Sequence, residues 1–222
     1  MTQEGKQKNK IAALIEEADK IAIIPSRISK MDAFGAGVAL YYMLQDVEKD
    51  VSFVYPGRIL EKGKDLIDEE NITQDIGKRS LLVSIDYSGT DASKVNYTTE
   101  DDVLYLNISP IPADFEKHRK VRSSVVGFDF DLIFVLGAQR MDDLGSIFRN
   151  LDSNSRTSKI INLDNTEMNE RFGFVNIVDN KINSVSQLLM EKVPSWGLNI
   201  SEKAAKALLE GIIASETPKK VD

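Results

Sequence analysis

The 222-residue chain contains no cysteine and only one histidine. Without cysteine it can form neither a disulfide nor a thiolate metal site. Long apolar runs are also missing, since none approaches the ~20 residues that a membrane-spanning helix needs. The first ten residues are polar and rich in lysine, and no apolar segment typical of a signal peptide follows them. We therefore expect a cytoplasmic protein that does not bind a membrane.

Positive charge is scarce as well. The chain has 28 lysines and arginines against 35 acidic residues, a net charge of −7. A generic nucleic-acid surface normally needs net positive charge, so nucleic-acid binding is not expected outside a local basic groove. One such basic run, residues 117–122, contains the single histidine, His118. It could bind phosphate or single-stranded RNA, although a run of this kind is more often a solvated surface.

Apolar runs of strand length alternate with helical periodicity along the chain. This pattern predicts an α/β fold with a doubly wound, Rossmann-like and mostly parallel sheet and helices on both faces. We predict a single domain over residues 1–222, with an insertion at about 87–127. The predicted helices span 11–20, about 32–48, 58–70, 142–151, 183–193 and 201–213. The predicted strands span 21–24, 51–55, 81–86, 132–137 and 159–164.

A β-hairpin is predicted inside the insertion. Val95 to Tyr97 and Val103 to Ile108 flank a polar turn, which is the pattern of two antiparallel strands. A peripheral hairpin can bury one face but leaves the other uncovered. We therefore expect this hairpin to mediate a contact between chains.

Residues 160–176, with the sequence IINLDNTEMNERFGFVN, form the most informative stretch. They predict a buried strand that ends in an aspartate, then a turn and a second short apolar run. The stretch resembles the signature of the DHH phosphoesterase superfamily, in which Asp-His-His ends a strand and Asn-x-x-Phe-Gly-x-x-Asn follows. Asp164 keeps its place, whereas Asn165 and Thr166 replace the two histidines. The resemblance covers about residues 20–215 and implies the first-domain fold of nanoRNA or pAp phosphatases and RecJ-type exonucleases.

Two further family motifs are altered in the same way. The family begins with His-x-x-x-Asp-x-Asp-Ala-x-Gly-Ser, but here Ser26 stands for the histidine and Lys30 for the first aspartate. Only Asp32 remains of these three metal ligands. A further family aspartate ends the strand before the signature, and Gly137 occupies that position, with Asp86 as a displaced alternative.

The resemblance therefore implies that most metal ligands are lost. Manganese prefers several carboxylate and imidazole ligands, and a two-metal site needs them around ions about 4 Å apart. Asp32 and Asp164 alone could hold at most one hydrated ion, so we expect no cofactor. We also expect these two aspartates to lie near each other at the carboxyl edge of the sheet, on parallel and adjacent strands. The family's smaller C-terminal substrate-binding domain is expected to be absent.

Lys30 has two interpretations that stay open at this point. Its ammonium could occupy the vacated metal position and neutralise Asp32 and Asp164, because unpaired buried carboxylates are costly. Alternatively, it is a solvated loop lysine.

Three functions from different classes follow from the resemblance. The first is a catalytically degenerate protein, a pseudoenzyme, that binds a nucleotide, another phosphate-bearing ligand or a protein partner through the former active-site cleft. The second is a weakly active, manganese-dependent phosphoesterase acting on nanoRNA or 3′,5′-bisphosphate nucleotides. The third is an architectural subunit that forms a homodimer or pairs with an active paralogue. The candidate ligand-binding residues are Ser26, Lys30, Asp32, Gly137, Asp164, Asn165 and Thr166.

Overall fold

The computed structural model describes residues 3–59, 61–74, 80–85, 94–109, 121–126, 130–145, 147 and 158–216. The α-helices are α1 Gln3–Glu17, α2 Lys30–Gln45, α3 Glu61–Lys64, α4 Val185–Lys192 and α5 Glu202–Glu216. The strands are β1 Lys20–Pro25, β2 Asp50–Val54, β3 Ile72–Thr73, β4 Ser80–Ile85, β5 Lys94–Glu100, β6 Val103–Ser109, β7 Val121–Val126, β8 Leu132–Leu136, β9 Lys159–Asp164 and β10 Val175–Val178. Short 3₁₀ helices span Glu69–Asn71, Met141–Leu144 and Val193–Trp196.

The chain divides into two compact units. The first combines residues 1–78 with 128–222, and the second comprises residues 79–127. The insertion predicted from the sequence starts at about residue 87. The second unit starts earlier, at residue 79, and therefore also contains β4.

A six-stranded sheet forms the centre of the first unit. Its strand order is β10-β9-β8-β1-β2-β3, and every neighbouring pair runs parallel. Parallel strands need crossover connections, and the alternation of strands with helices supplies them. The predicted α/β fold is thus confirmed.

The two faces of this sheet are covered differently. Successive side chains of β1 point to opposite faces, so Ile21 and Ile23 join one core while Ala22 and Ile24 join another. The larger core includes buried residues of α1, α2, α4 and α5. In the described part of the chain, the opposite face is covered by Leu144, from a 3₁₀ helix, and by Ile147.

Helix α2 is buried almost throughout, which is typical of a helix that is apolar all round. It can approach α5 closely because Gly35 has no side chain. A Cβ built on Gly35 would lie 2.6 Å from the carbonyl oxygen of Ala207 in α5. A Cβ on Gly37 would lie 2.9 Å from the ring of Phe53. These glycines therefore serve helix packing.

Several sequence expectations need correction. The strand predicted at residues 81–86 does not join the central sheet, because β4 pairs antiparallel with β7 in a two-stranded sheet of the second unit. Of the helix predicted at 58–70, only Glu61–Lys64 is α-helical. Of the helix predicted at 142–151, residues 142–144 belong to a 3₁₀ helix, and residues 146 and 148–151 lie outside the described residues. Asp86 and His118 also lie outside them.

The hairpin prediction is confirmed. β5 and β6 pair antiparallel, and Asp101 and Asp102 form a two-residue turn with φ angles of +50° and +61°. Positive φ at both central residues matches the right-handed twist of the flanking strands. Both strands are exposed on both faces, apart from the partly buried Ile108.

Within the described residues, each helix is too short or too polar to cross a membrane.

Candidate functional site

The positions matched to the family motifs follow three parallel strands. Ser26 comes directly after β1, Gly137 directly after β8, and Asp164 is the last residue of β9. All three therefore lie at the carboxyl edge of the sheet, where open α/β folds bind ligands. The expected adjacency of β1 and β9 was wrong, because β8 lies between them.

Asp32, in the first turn of α2, binds the start of α4. Its Oδ1 accepts hydrogen bonds from Ser184 Oγ at 2.8 Å and from the Ser186 amide at 2.9 Å. Its Oδ2 accepts one from the Val185 amide at 2.8 Å. The first amides of a helix have no partners within the helix and carry partial positive charge, which favours a carboxylate there. Asp32 is therefore an anionic cap that joins α2 to α4.

Ser184 extends this arrangement into the helix. Its Oγ donates to Asp32 and also accepts a hydrogen bond from the Gln187 amide at 3.2 Å. Ser186 adds a second contact, since its Oγ donates to the Asp32 carbonyl at 2.9 Å. Both oxygens of the Asp32 carboxylate are thus engaged in a buried hydrogen-bond network.

Asp164 is buried in a second network. Its Oδ2 accepts hydrogen bonds from Thr166 Oγ1 and from Asn169 Nδ2, the latter at 2.9 Å. The same Asn169 amide donates to the carbonyl of Ala138 at 2.8 Å. Among the described residues, no hydrogen-bond donor reaches Oδ1 of Asp164. The signature thus holds its aspartate by neutral side chains that come from the turn itself.

The two surviving aspartates belong to opposite faces of the sheet. Ile161 and Leu163 of β9 point into the core that contains α4, so the alternating Asp164 points to the other face. Asp32 binds α4 and therefore lies on the helical side. Although both residues follow the same sheet edge, they make separate contacts.

Gly137 is closed to a larger residue. Its φ is +69°, and a Cβ there would lie 2.8 Å from Ser29 Oγ and 3.0 Å from the Cβ of Ala33. Ser29 Oγ also donates to the Gly137 carbonyl at 2.9 Å. An aspartate at this position would combine backbone strain with a steric clash.

The remaining candidate positions have local roles or are exposed. Ser26 Oγ accepts a hydrogen bond from the Ile28 amide at 3.2 Å, and Asn165 Nδ2 donates to the Ile182 carbonyl at 3.0 Å. Lys30 is exposed and forms no ion pair with another described residue. The interpretation that its ammonium neutralises Asp32 and Asp164 is wrong, and the solvated alternative fits.

The described residues do not fit a two-metal centre. No group of three histidine, cysteine or acidic residues converges anywhere in the part of the chain that the structure describes. Both oxygens of Asp32 already accept hydrogen bonds, and only Oδ1 of Asp164 has no hydrogen-bond partner among the described residues. Manganese prefers several such ligands for each ion.

The fold resembles that of a known protein. Among solved structures, the crystal structure of an exopolyphosphatase-related protein from Bacteroides fragilis matches with a TM-score of 0.64 and 16% sequence identity. The match covers 97% of this chain and 52% of that protein, so this chain spans about half of its length. No family model and no curated protein matches the sequence. At this identity, the likeness shows a shared fold.

Sequence reasoning missed several residues of these networks. Ser184 and Gln187 have the Ser-x-x-Gln spacing of a capping box, which could have identified the helix start that Asp32 binds. Asn169 and Asn176 are the two asparagines of the Asn-x-x-Phe-Gly-x-x-Asn frame, which does not by itself predict their contacts. Asn176 Oδ1 accepts from the Gly173 amide at 2.9 Å and its Nδ2 donates to the Gly173 carbonyl at 2.7 Å, so it closes the turn before β10.

Proposed function

We propose that this chain is a catalytically degenerate phosphoesterase-like protein of the DHH type, which binds a phosphate-bearing ligand at the carboxyl edge of its sheet without hydrolysing it. The observation that supports this most strongly is the capture of the Asp32 carboxylate by the start of α4. Three hydrogen bonds occupy most of the roughly four lone-pair positions of that carboxylate, so it can offer at most one to an ion.

The other matched positions support the same proposal. Asp164 is bonded by Thr166 and Asn169, and Gly137 has no room for an aspartate. Each position that would hold a metal in an active phosphoesterase therefore has a structural role or the wrong chemistry here. Lys30, in contrast, offers an exposed cation at the same edge of the sheet, and a cation can attract phosphate.

An assay for hydrolysis tests the loss of catalysis. Its substrates are pAp, short oligoribonucleotides, a generic phosphodiester and, because the structural neighbour is exopolyphosphatase-related, polyphosphate. We expect no turnover with manganese at neutral pH, and no manganese uptake in calorimetry. Turnover that disappears in Asp164→Asn would contradict the proposal and restore the active phosphoesterase. Asparagine keeps the shape of that buried residue, so a loss of activity would not merely reflect unfolding.

A binding experiment tests the second half of the proposal. We expect pAp or another mononucleotide to raise the melting temperature of the wild-type protein in a concentration-dependent way, because a ligand that binds only the folded state stabilises it. The absence of any shift with all phosphate compounds at millimolar concentration would refute ligand binding.

The hairpin supports a second candidate function, that of a self-associating architectural subunit. Register places Val95, Tyr97, Leu104, Leu106 and Ile108 on one face, together with Thr99. This face carries no charged residue, so two copies could bring their hairpins together without burying charge. A second copy of the chain is therefore the partner that this face suits.

A further inference from the structure

A pocket of about 330 Å³ opens at the carboxyl ends of β2 and β3. The positions matched to the DHH motifs follow β1, β8 and β9 instead, and none of them lines this pocket. Its volume is at the lower end of the range of small-molecule sites. The polar and charged part of its lining comprises Tyr55, Arg58, Lys64, Glu69 and Gln74.

Cations make up much of this lining. Arg58 is exposed, and Lys64 Nζ lies 2.7 Å from Glu61 Oε1. That hydrogen bond raises the pKa of Lys64, so the lysine stays charged at neutral pH. The charge of Arg27 also acts on the phenol of Tyr55. Two cations therefore line the pocket, Arg58 and Lys64, of which Lys64 is paired with Glu61.

Tyr55 contributes a fixed hydrogen-bond donor. The residue is only 4% exposed, and its ring lies edge-on to Phe34 with centroids 5.0 Å apart. Among the described residues, nothing forms a hydrogen bond with its hydroxyl. Burial raises the pKa of this phenol although Arg27 lowers it, so the hydroxyl keeps its proton at neutral pH.

Gly57 brings the loop after β2 against the same ring. A Cβ on Gly57 would lie 2.8 Å from the Tyr55 ring, so only glycine lets the backbone lie this close. Packing from Phe34 on one part of the ring and from Gly57 on another fixes the direction of the phenol. Because Tyr55 lines the pocket and its ring is held in place, its hydroxyl can donate to an oxyanion there.

Glu69 adds a carboxylate to the lining of the pocket. Its carboxylate lines the same pocket as Arg58 and Lys64. A carboxylate accepts hydrogen bonds and repels phosphate, so it suits hydroxyl groups on the ligand. The lining therefore combines donors for a phosphate with an acceptor for a polyol.

We propose that this pocket binds a small phosphorylated polyol such as a sugar phosphate, with the phosphate against Arg58 and Tyr55 and the hydroxyls donating to Glu69. This inference rests on the proposed function in one respect, namely that the ligand carries a phosphate. It assigns a site that the family motifs do not include.

Calorimetric titration of the full chain tests the site with glucose 6-phosphate, glucose and inorganic phosphate. We expect glucose 6-phosphate to bind, inorganic phosphate to bind more weakly and glucose not to bind measurably. Arg58→Gln should weaken glucose 6-phosphate binding by about tenfold or more, because a charge-assisted hydrogen bond is lost. Tyr55→Phe should weaken it by roughly fivefold, as expected for one neutral hydrogen bond. Lys94→Gln, at an exposed cationic residue of the second unit outside the basic run 117–122, is the control and should bind like the wild type.

Lys30→Gln separates this inference from the proposed function. If Lys30→Gln abolishes binding while Arg58→Gln leaves it unchanged, the pocket is refuted and ligand binding at the DHH positions stands. If no phosphate compound binds the wild type, both proposals fail. Equal affinity for inorganic phosphate and glucose 6-phosphate would overturn the polyol assignment. Melting curves of each variant establish that it is folded.

Discussion

One leucine from each unit shows that the two units bury apolar residues to different extents. Leu136 in β8 is fully buried, whereas Leu106 in β6 is 48% exposed. Both lie on regular strands with complete ladders. The difference is that helices cover β8, while the strands β5 and β6 are exposed. Hydrogen bonding therefore makes a strand in either unit, but packing by other elements makes a core.

The largest expected difference comes from shortening these leucines. Leu136→Ala should lower the free energy of unfolding by about 3 kcal/mol, since it removes buried methyl groups and leaves a cavity. Leu106→Ala should cost less than about 1 kcal/mol, because its side chain is half exposed already. Urea unfolding of both variants measures this. The measurement is made at a protein concentration low enough to keep single chains apart, and equal losses would then mean that Leu106 is buried within its own chain.

Asp32 tests whether a motif residue of the first unit stabilises the fold. Asp32→Ala should lower the free energy of unfolding by roughly 3 kcal/mol, because the amides of Val185 and Ser186 lose their acceptor. Asp32→Asn should lie between this variant and the wild type, since one acceptor oxygen remains. Chemical denaturation with and without manganese gives the comparison. If Asp32→Ala were as stable as the wild type, the Asp32 carboxylate would not stabilise the start of α4.

Alanine substitution of two glycines with positive φ should lower the free energy of unfolding by a smaller amount, and one of the two serves as the control for the other. Gly137→Ala should destabilise by about 2 kcal/mol, since a left-handed φ and contact with Ser29 both oppose a Cβ. Gly197 has a φ of +81° but open space around it, so Gly197→Ala should cost about 1 kcal/mol. Similar melting temperatures for the two variants would show that the site around Gly137 can relax.

Substitutions in the hairpin should have the smallest effect on the free energy of unfolding. Their effect is measured instead on the association of two chains. Replacing Leu104 and Leu106 by lysine should leave unfolding nearly unchanged and should disrupt self-association. Light scattering should give the wild type a mass near twice the 24.8 kDa of one chain, and the variant that of one chain. Tyr105→Lys alters the opposite face and should not change the mass. A monomeric wild type at high concentration would argue against the association.

Much of the fold followed from local patterns. Buried runs such as residues 21–24 and 132–137 predicted strands of the central sheet, because only strands covered on both faces are apolar throughout. Residues 81–86 have a similar apolar pattern, yet they form β4 in a separate antiparallel pair. The partner of a strand depends on long-range contacts that periodicity does not contain.

The sequence predicted where the candidate residues lie along the chain but not what they contact. The motif spacing predicted that Asp32 and Asp164 lie at the carboxyl edge of the sheet, and the structure has Asp164 at the end of β9 and Asp32 in the first turn of α2, which follows β1. The spacing also placed them on adjacent strands near one shared site, whereas β8 separates the strands and each carboxylate has its own partners. The sequence allowed Lys30 to be either a counter-ion of the two aspartates or a solvated lysine. Its exposure in the structure favours the solvated lysine.

The sequence by itself predicted most of the helices and strands, the parallel α/β class, and the absence of histidine from the positions that resemble the DHH motifs. These properties depend on residue type and short-range spacing. Tertiary structure alone decided what the remaining motif residues do, since the start of α4 reaches Asp32 from more than 150 positions away in the chain. It also decided that Tyr55 and Arg58 line one pocket with Glu69. Such contacts arise when separate elements pack on the sheet, and no local pattern encodes them.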